Sequence, residues 1–177
     1  MKDKWQVIFS GVGGQGLIVC SVALGEAAIQ YEDKNAVMTT SHGVEMRGTF
    51  SKADIIISSE RIDYPECLEP DAIVCLAQVA YDRYKDSVDD HTIIIYNDEL
   101  VKGNGRKNHF GYPISAMAKQ AGSSNSENFV SLGLLIGTTG MCEAEHVRQV
   151  ILDKYKGGKF ETINTAAYDI GMKVAAK

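Results

Sequence analysis

The chain has 177 residues, 45% of them hydrophobic and 23% charged, with a formal net charge of −5. That length suits a single domain, residues 1–177, with a sizeable core. Its acidic balance, with Lys and Arg scattered along the chain, argues against nucleic-acid binding. No apolar run approaches the roughly 20 residues that span a bilayer, and Met1-Lys2-Asp3-Lys4 leads into a strand without a signal-peptide core. A cytoplasmic protein with no membrane contact is expected.

In chain order, Val7–Ser10 is an apolar strand that runs into Ser10-Gly11-Val12-Gly13-Gly14-Gln15-Gly16. From Gly16 to about Ile29, apolar residues recur at spacings of three and four, which predicts a helix. Ala36–Thr40 is a second strand, so the opening β–loop–α–β predicts parallel strands joined by a right-handed crossover. Ser41–Thr49 is polar and punctuated by glycine, and is expected to be a loop or a loop-to-strand transition. Ala53–Ser58 and Ala72–Leu76 are further strands, the second followed by a helix through about Tyr84. Thr92–Tyr96 is the next strand, and Val101–His109 is expected as an exposed loop.

Helices are then predicted after Tyr112-Pro113, over Glu127 to about Thr138, over Glu143–Tyr155, and over Glu161–Val174. Gly122–Ser126 and Gly157-Gly158 break them. The alternation predicts an α/β, Rossmann-like fold: a mainly parallel sheet flanked by helices.

The glycine loop is the strongest local signal. A strand that feeds a glycine-rich turn and opens a helix brings backbone N–H groups up to a phosphate or another anion. Gly11, Gly13, Gly14 and Gly16 leave little side-chain bulk, and the Gln15 amide can both donate and accept. The spacing formally satisfies G-x-G-x-x-G, so a stand-alone dinucleotide-binding protein is the alternative reading. Against it, the second strand ends in Thr39-Thr40-Ser41, where NAD binding wants a ribose-holding acid. Glu32 and Asp33 have about the right count but precede that strand. A tight turn with no ligand also stays open.

His42, Glu45 and Arg47 form a second constellation between Gly43 and Gly48. Arg47 suits a bidentate clamp on carboxylate or phosphate, and Glu45 suits orienting it; a local surface ion pair is the plain alternative. Asn128 heads a glycine-rich apolar helix and is a candidate to line the same crevice. The four cysteines, Cys20, Cys67, Cys75 and Cys142, lack C-x-x-C spacing and are expected to be reduced, mostly buried, small apolar side chains. No catalytic residue and no metal site is expected on this chain.

Taken together, three segments resemble the gamma subunit of the 2-oxoacid:ferredoxin oxidoreductases. They are Gly11-Val12-Gly13-Gly14-Gln15-Gly16, then Ser41-His42-Gly43-Val44-Glu45-Met46-Arg47-Gly48 with the Ile-rich strand ending at Ser58, and Asn128 before Leu132-Gly133 and Thr139-Gly140. The middle motif of that family usually reads Ser-Tyr-Gly-Pro-Glu-x-Arg-Gly-Gly; here His42, Val44 and Thr49 depart from it. The resemblance implies an enzyme that decarboxylates a 2-oxoacid, 2-oxoglutarate or pyruvate, forms an acyl-CoA and reduces ferredoxin. It places thiamine diphosphate, Mg and 4Fe–4S clusters on alpha and beta partner subunits, with a ferredoxin-like delta subunit as an open fourth. This chain alone would bind none of them and would be inactive. Coenzyme A is the implied co-substrate, with Gly11, Gly13, Gly14, Gln15, Gly16, Glu45, Arg47 and Asn128 as its candidate contacts. An indolepyruvate oxidoreductase small subunit shares the glycine loop. Apolar surface meant for partners would let the isolated chain self-associate as a homodimer.

Overall fold

The computed structural model describes residues 2–42 and 49–175. Six strands, β1 (Lys4–Val12), β2 (Asn35–His42), β3 (Phe50–Ser58), β4 (Ala72–Cys75), β5 (Ile93–Asn97) and β6 (His109–Tyr112), form one sheet in the order β2-β3-β1-β4-β5-β6. The helices are α1 (Leu17–Tyr31), α2 (Gln78–Tyr84), α3 (Ile114–Ala121), α4 (Glu127–Thr139), α5 (Ala144–Tyr155) and α6 (Lys159–Ala175), with a 3-10 turn at Ser124–Ser126.

Pairings β1–β4, β4–β5 and β5–β6 are parallel, whereas β3 is antiparallel to both β1 and β2. Five strands therefore point one way and β3 alone is reversed, so the mainly parallel expectation holds in a mixed sheet. The opening β–α–β differs from expectation. β1 and β2 do run in the same direction, but β3 lies between them. The connection from His42 to Phe50 is too short for a crossover, which takes about a dozen residues or more, and instead returns the chain as a hairpin. The second difference is β6, which starts at His109, the last residue of the expected loop, and occupies the unassigned residues up to Tyr112. It adds to the parallel edge through Ile94↔His109 and Asn97↔Tyr112.

Alternate residues of each strand face opposite sides of the sheet. Val7, Phe9, Ile55, Ile57, Val74, Leu76 and Ile95 join the large core beneath α1, α3, α4, α5 and α6. Ile8, Ile73, Cys75 and Ile94 join a smaller core with Ala80 and Tyr81 of α2 and with Val101. The chain thus leaves β1 for one face and the neighbouring β4 for the other. In open α/β sheets the crevice outside the carboxyl ends of two such strands is the usual ligand position.

Behind that crevice α4 and α6 pack with their backbones in contact. Ser126 Oγ donates to Asn164 Oδ1 at 2.8 Å, Gly133 lies against Gly171, and Gly137 lies against Ala175. This constant offset means that the two helices run in the same direction. A Cβ at Gly133 would press into the Tyr168 carbonyl oxygen, and one at Gly171 into that of Val130. Among the described residues no helix is long and apolar enough to cross a membrane.

Candidate functional site

The glycine loop sits at the carboxyl end of β1, in the crevice between β1 and β4. β1 runs further than its apolar core predicts, because Gly11 and Val12 still pair with Ser51 and Phe50 of β3. Gln15 then folds back across the crevice. Its Oε1 accepts from the Val12 N–H at 2.8 Å, and its Nε2 donates to the Leu76 carbonyl at 2.9 Å. A Cβ at Gly11 would displace the Gln15 amide oxygen from this position. Both ends of the Gln15 amide are therefore engaged within the chain, tying the tips of β1 and β4 together.

What faces outward is bare backbone. Among the described residues Gly13 and Gly14 have no atom within 4 Å of where a Cβ would stand, and Gly14 has φ +96°. Gly16, at φ 71°, is the residue before α1, which has no side-chain cap and no acid in its first turn. The first N–H groups of a helix have no intrahelical partner, and the helix dipole makes that end attract anions. The depression here, about 340 Å³, is lined by Val12–Val19 and Ser51.

Asn128 reaches this loop from α4. Its Nδ2 donates to the Gly16 carbonyl at 3.4 Å, and a Cβ at Gly16 would meet that amide at 2.5 Å. Asn128 is 5% exposed, and among the described residues its buried Oδ1 has no hydrogen-bond partner. Its carbonyl accepts from Cys20 Sγ at 3.1 Å and from Ser131 Oγ at 2.7 Å. The structure thus brings Gly11, Gly13, Gly14, Gln15, Gly16 and Asn128 together. Glu45 and Arg47 lie outside the described residues; the strands that flank them end at the same edge of the sheet, where Phe50 pairs with Val12 and His42 with Ser51.

Glu32 lies at the opposite edge. Its Oε1 accepts from Cys142 Sγ and from the Glu143 N–H, both at 2.7 Å, and from His146 Nδ1 at 3.3 Å. Lys34 Nζ pairs with Oε2 at 2.6 Å. Burial works against this carboxylate, but the hydrogen bonds from Cys142, Lys34, Glu143 and His146 outweigh it and hold its pKa down at about 2. Glu32 closes the start of α5 and is remote from the ends of β1 and β2. The dinucleotide alternative thereby loses its ribose-holding acid.

The cysteine thiols are separate from one another. Cys20, Cys75 and Cys142 are buried and Cys67 is half-buried, all in the free form. Burial pushes the Cys67 and Cys75 thiols up to about 12 and raises Cys20 and Cys142 as well. Among the described residues no group of three or more His, Cys, Asp or Glu side chains could hold a metal ion. Sequence reasoning named the helix start but missed Ser51 as a wall of the loop. Ser51 stands 35 positions beyond Gly16 and reaches it through strand pairing, so nothing local could flag it.

Residues 6–174 match the family model described as pyruvate ferredoxin/flavodoxin oxidoreductase. The chain belongs to this family. It is 36% identical over 180 residues to the 2-oxoglutarate synthase subunit KorC of Methanocaldococcus jannaschii, covering 99% of this chain and 96% of that one. The keto/oxoacid ferredoxin oxidoreductase gamma subunit from Geobacter sulfurreducens superposes with TM-score 0.87 at 30% identity, covering 98% of this chain and 97% of that one. The 2-oxoglutarate:ferredoxin oxidoreductase from Magnetococcus marinus, solved with 2-oxoglutarate, coenzyme A and succinyl-CoA bound, gives TM-score 0.86 at 23% identity. There the likeness is one of fold, covering 99% of this chain but 31% of the longer one.

Proposed function

We propose that this chain is the gamma-type subunit of a 2-oxoacid:ferredoxin oxidoreductase, and that its glycine loop takes the phosphate-bearing end of coenzyme A. The observation that carries the second half is the outward-facing Gly13-Gly14 backbone before an uncapped helix, at the point where the chain leaves neighbouring strands for opposite faces. Phosphate oxygens would accept from the free N–H groups of the first turn of α1, and the missing Cβ atoms let them approach closely. Arg47, with Glu45 orienting it, would add a charge-assisted clamp from the neighbouring hairpin. Gln15 and Asn128 act by holding the loop in shape, Gln15 from the β1–β4 tips and Asn128 through the Gly16 carbonyl.

In the assembled enzyme, coenzyme A supplies the thiol that receives the acyl group left when the 2-oxoacid loses CO₂. Thiamine diphosphate with Mg, and 4Fe–4S clusters that pass electrons to ferredoxin, belong on alpha and beta subunits, with delta where present. A cytoplasmic location fits this assignment. The 2-oxoacid is 2-oxoglutarate, which the KorC relative's name carries, or pyruvate.

The test is to titrate the assembled enzyme with coenzyme A after Arg47→Ala and Gly14→Ala. Loss of charge-assisted contacts predicts a KM for coenzyme A raised roughly tenfold in each, about 1.4 kcal/mol. An unchanged KM and unchanged turnover in both variants would overturn the coenzyme A assignment.

A further inference from the structure

The two edges of the sheet are finished differently. β6 is four residues long and comes just after Arg106 and Lys107, a short, charged edge of the kind that discourages pairing with another chain. β2, at the other edge, is eight residues long, and Asn35–His42 contains no Asp, Glu, Lys, Arg or Pro. Its ladder with β3 runs without a bulge from Asn35↔Ser58 to His42↔Ser51. An edge strand turns a row of N–H and C=O groups away from its one neighbour. Among the described residues, no backbone group of Asn35–Ser41 bonds to a backbone outside that ladder.

α1 flanks this edge with apolar side chains. Positions 18, 22, 25 and 29 fall on one stripe of a helix, being spaced by four, three and four residues. Gly25 fixes where the stripe points, because a Cβ there would touch Ala36 of β2 and Ile55 of β3. Ser21, on the adjoining side, bonds to the Ala53 carbonyl of β3, so the stripe lies over the β2 edge. Along it Ile18 and Ile29 are 39% and 55% exposed, and Val22 is half-buried. β2 adds Met38, 37% exposed, on the same face as Ala36. Both stand opposite β3 residues, Ile55 and Ile57, that belong to the core beneath α1.

An occupant must bring a strand for the backbone groups and an apolar helix surface on one face of the sheet. A second copy of this chain brings both. Turned about a twofold axis normal to the sheet through the middle of β2, the copy's β2 runs antiparallel and its α1 stays on the same face. Opposed positions then share a face, so Ala36, Met38 and Thr40 meet one another. Neither strand carries an Asp, Glu, Lys or Arg to repel its copy. The edge is about 27 Å long and, through its strand and helix layers, roughly 20 Å deep, or about 500 Å² on each copy. Two such surfaces total about 1,000 Å², the lower limit of specific interfaces, which makes for a weak dimer. We propose that β2 is a self-association edge: two copies of this chain pair through it, their sheets continue as one, and each α1 packs against the other. This contact holds whatever ligand the glycine loop takes.

Met38→Cys, treated with a short bismaleimide, tests the pairing in the full chain and again in the assembled enzyme. A covalent dimer of this chain is expected in both, above the background of the native chain, whose Cys67 is half-buried. Light scattering of the full chain should show a monomer–dimer equilibrium that shifts with concentration. Met38→Lys, which sets two like charges against each other, should weaken that equilibrium roughly tenfold. Ile29→Lys reads the same contact from the helix should the strand variant misfold, and circular dichroism distinguishes misfolding from dissociation. A monomer at every concentration overturns the pairing, as does an equilibrium that no folded lysine variant moves. Absence of the covalent dimer from the assembled enzyme also overturns it, and cross-linking of Met38→Cys to a different subunit there would assign the edge to that subunit.

Discussion

Two glycine-rich regions of this molecule use the same residue for opposite reasons. At the α4–α6 contact, Gly133 and Gly171 are glycine because another backbone of this chain already occupies the space a Cβ would need. At the β1–α1 loop, a Cβ on Gly13 or Gly14 would meet nothing within 4 Å among the described residues. Gly14 is held to glycine by its positive φ, but Gly13 has neither a positive φ nor a crowded neighbour. An internal demand explains the first pair; for Gly13 no described residue supplies one, and the proposed ligand would. One region therefore serves stability, the other access.

The contrast breaks most visibly at the helix pair. Gly133→Ala or Gly171→Ala forces backbone apart in a close-packed contact, which costs about 3 kcal/mol. In thermal melts the midpoint should fall by roughly 6–12 °C for a chain of this size. A melt unchanged within about 1 °C would remove the packing argument. Gly16→Ala should come next, since it meets both a left-handed φ of 71° and the Asn128 amide; about 1–3 kcal/mol is expected, read by denaturant titration. Equal stability of Gly16→Ala and the native chain would show that the loop relaxes freely.

The far edge of the sheet provides a pH-dependent control for the open loop. The Glu32 pKa lies near 2, below its ordinary 4.5, so its stabilisation is complete above the ordinary value and is lost as pH falls towards 2. Glu32→Gln should cost about 1 kcal/mol at neutral pH, and the gap should close progressively below roughly pH 4. A gap independent of pH in acid titrations monitored by circular dichroism would exclude the charge as its source. The smallest stability effect belongs to Gly13→Ala, within about 0.5 kcal/mol. Its KM for coenzyme A in the assembled enzyme should nonetheless rise several-fold. A variant unchanged in both stability and KM would leave the outward-facing loop without a visitor.

Much of this was legible in the chain itself. Apolar runs such as Ile55-Ile56-Ile57 and Ile93-Ile94-Ile95 mark buried strands, and the glycine loop announces both a strand-to-helix turn and an anion cradle. The β6 strand was hidden because its four residues include Gly111 and follow a basic, glycine-punctuated stretch, so only pairing with β5 makes it a strand. Gln15 was legible as a polar group at a helix start, but its double bond to Val12 and Leu76 depends on β4 lying beside β1.

What the sequence determined by itself was local: which segments are strands or helices, where the chain turns, and which residue types could meet an anion. Periodicity and glycine content act over neighbouring residues, so one chain suffices to read them. The tertiary structure alone decided that β3 enters between β1 and β2 and that α1 and α2 leave for opposite faces. It also decided that Asn128, 112 positions from Gly16, closes the loop. Those are long-range choices, set by hairpin length and by which faces can be buried together, and no short window of sequence contains them.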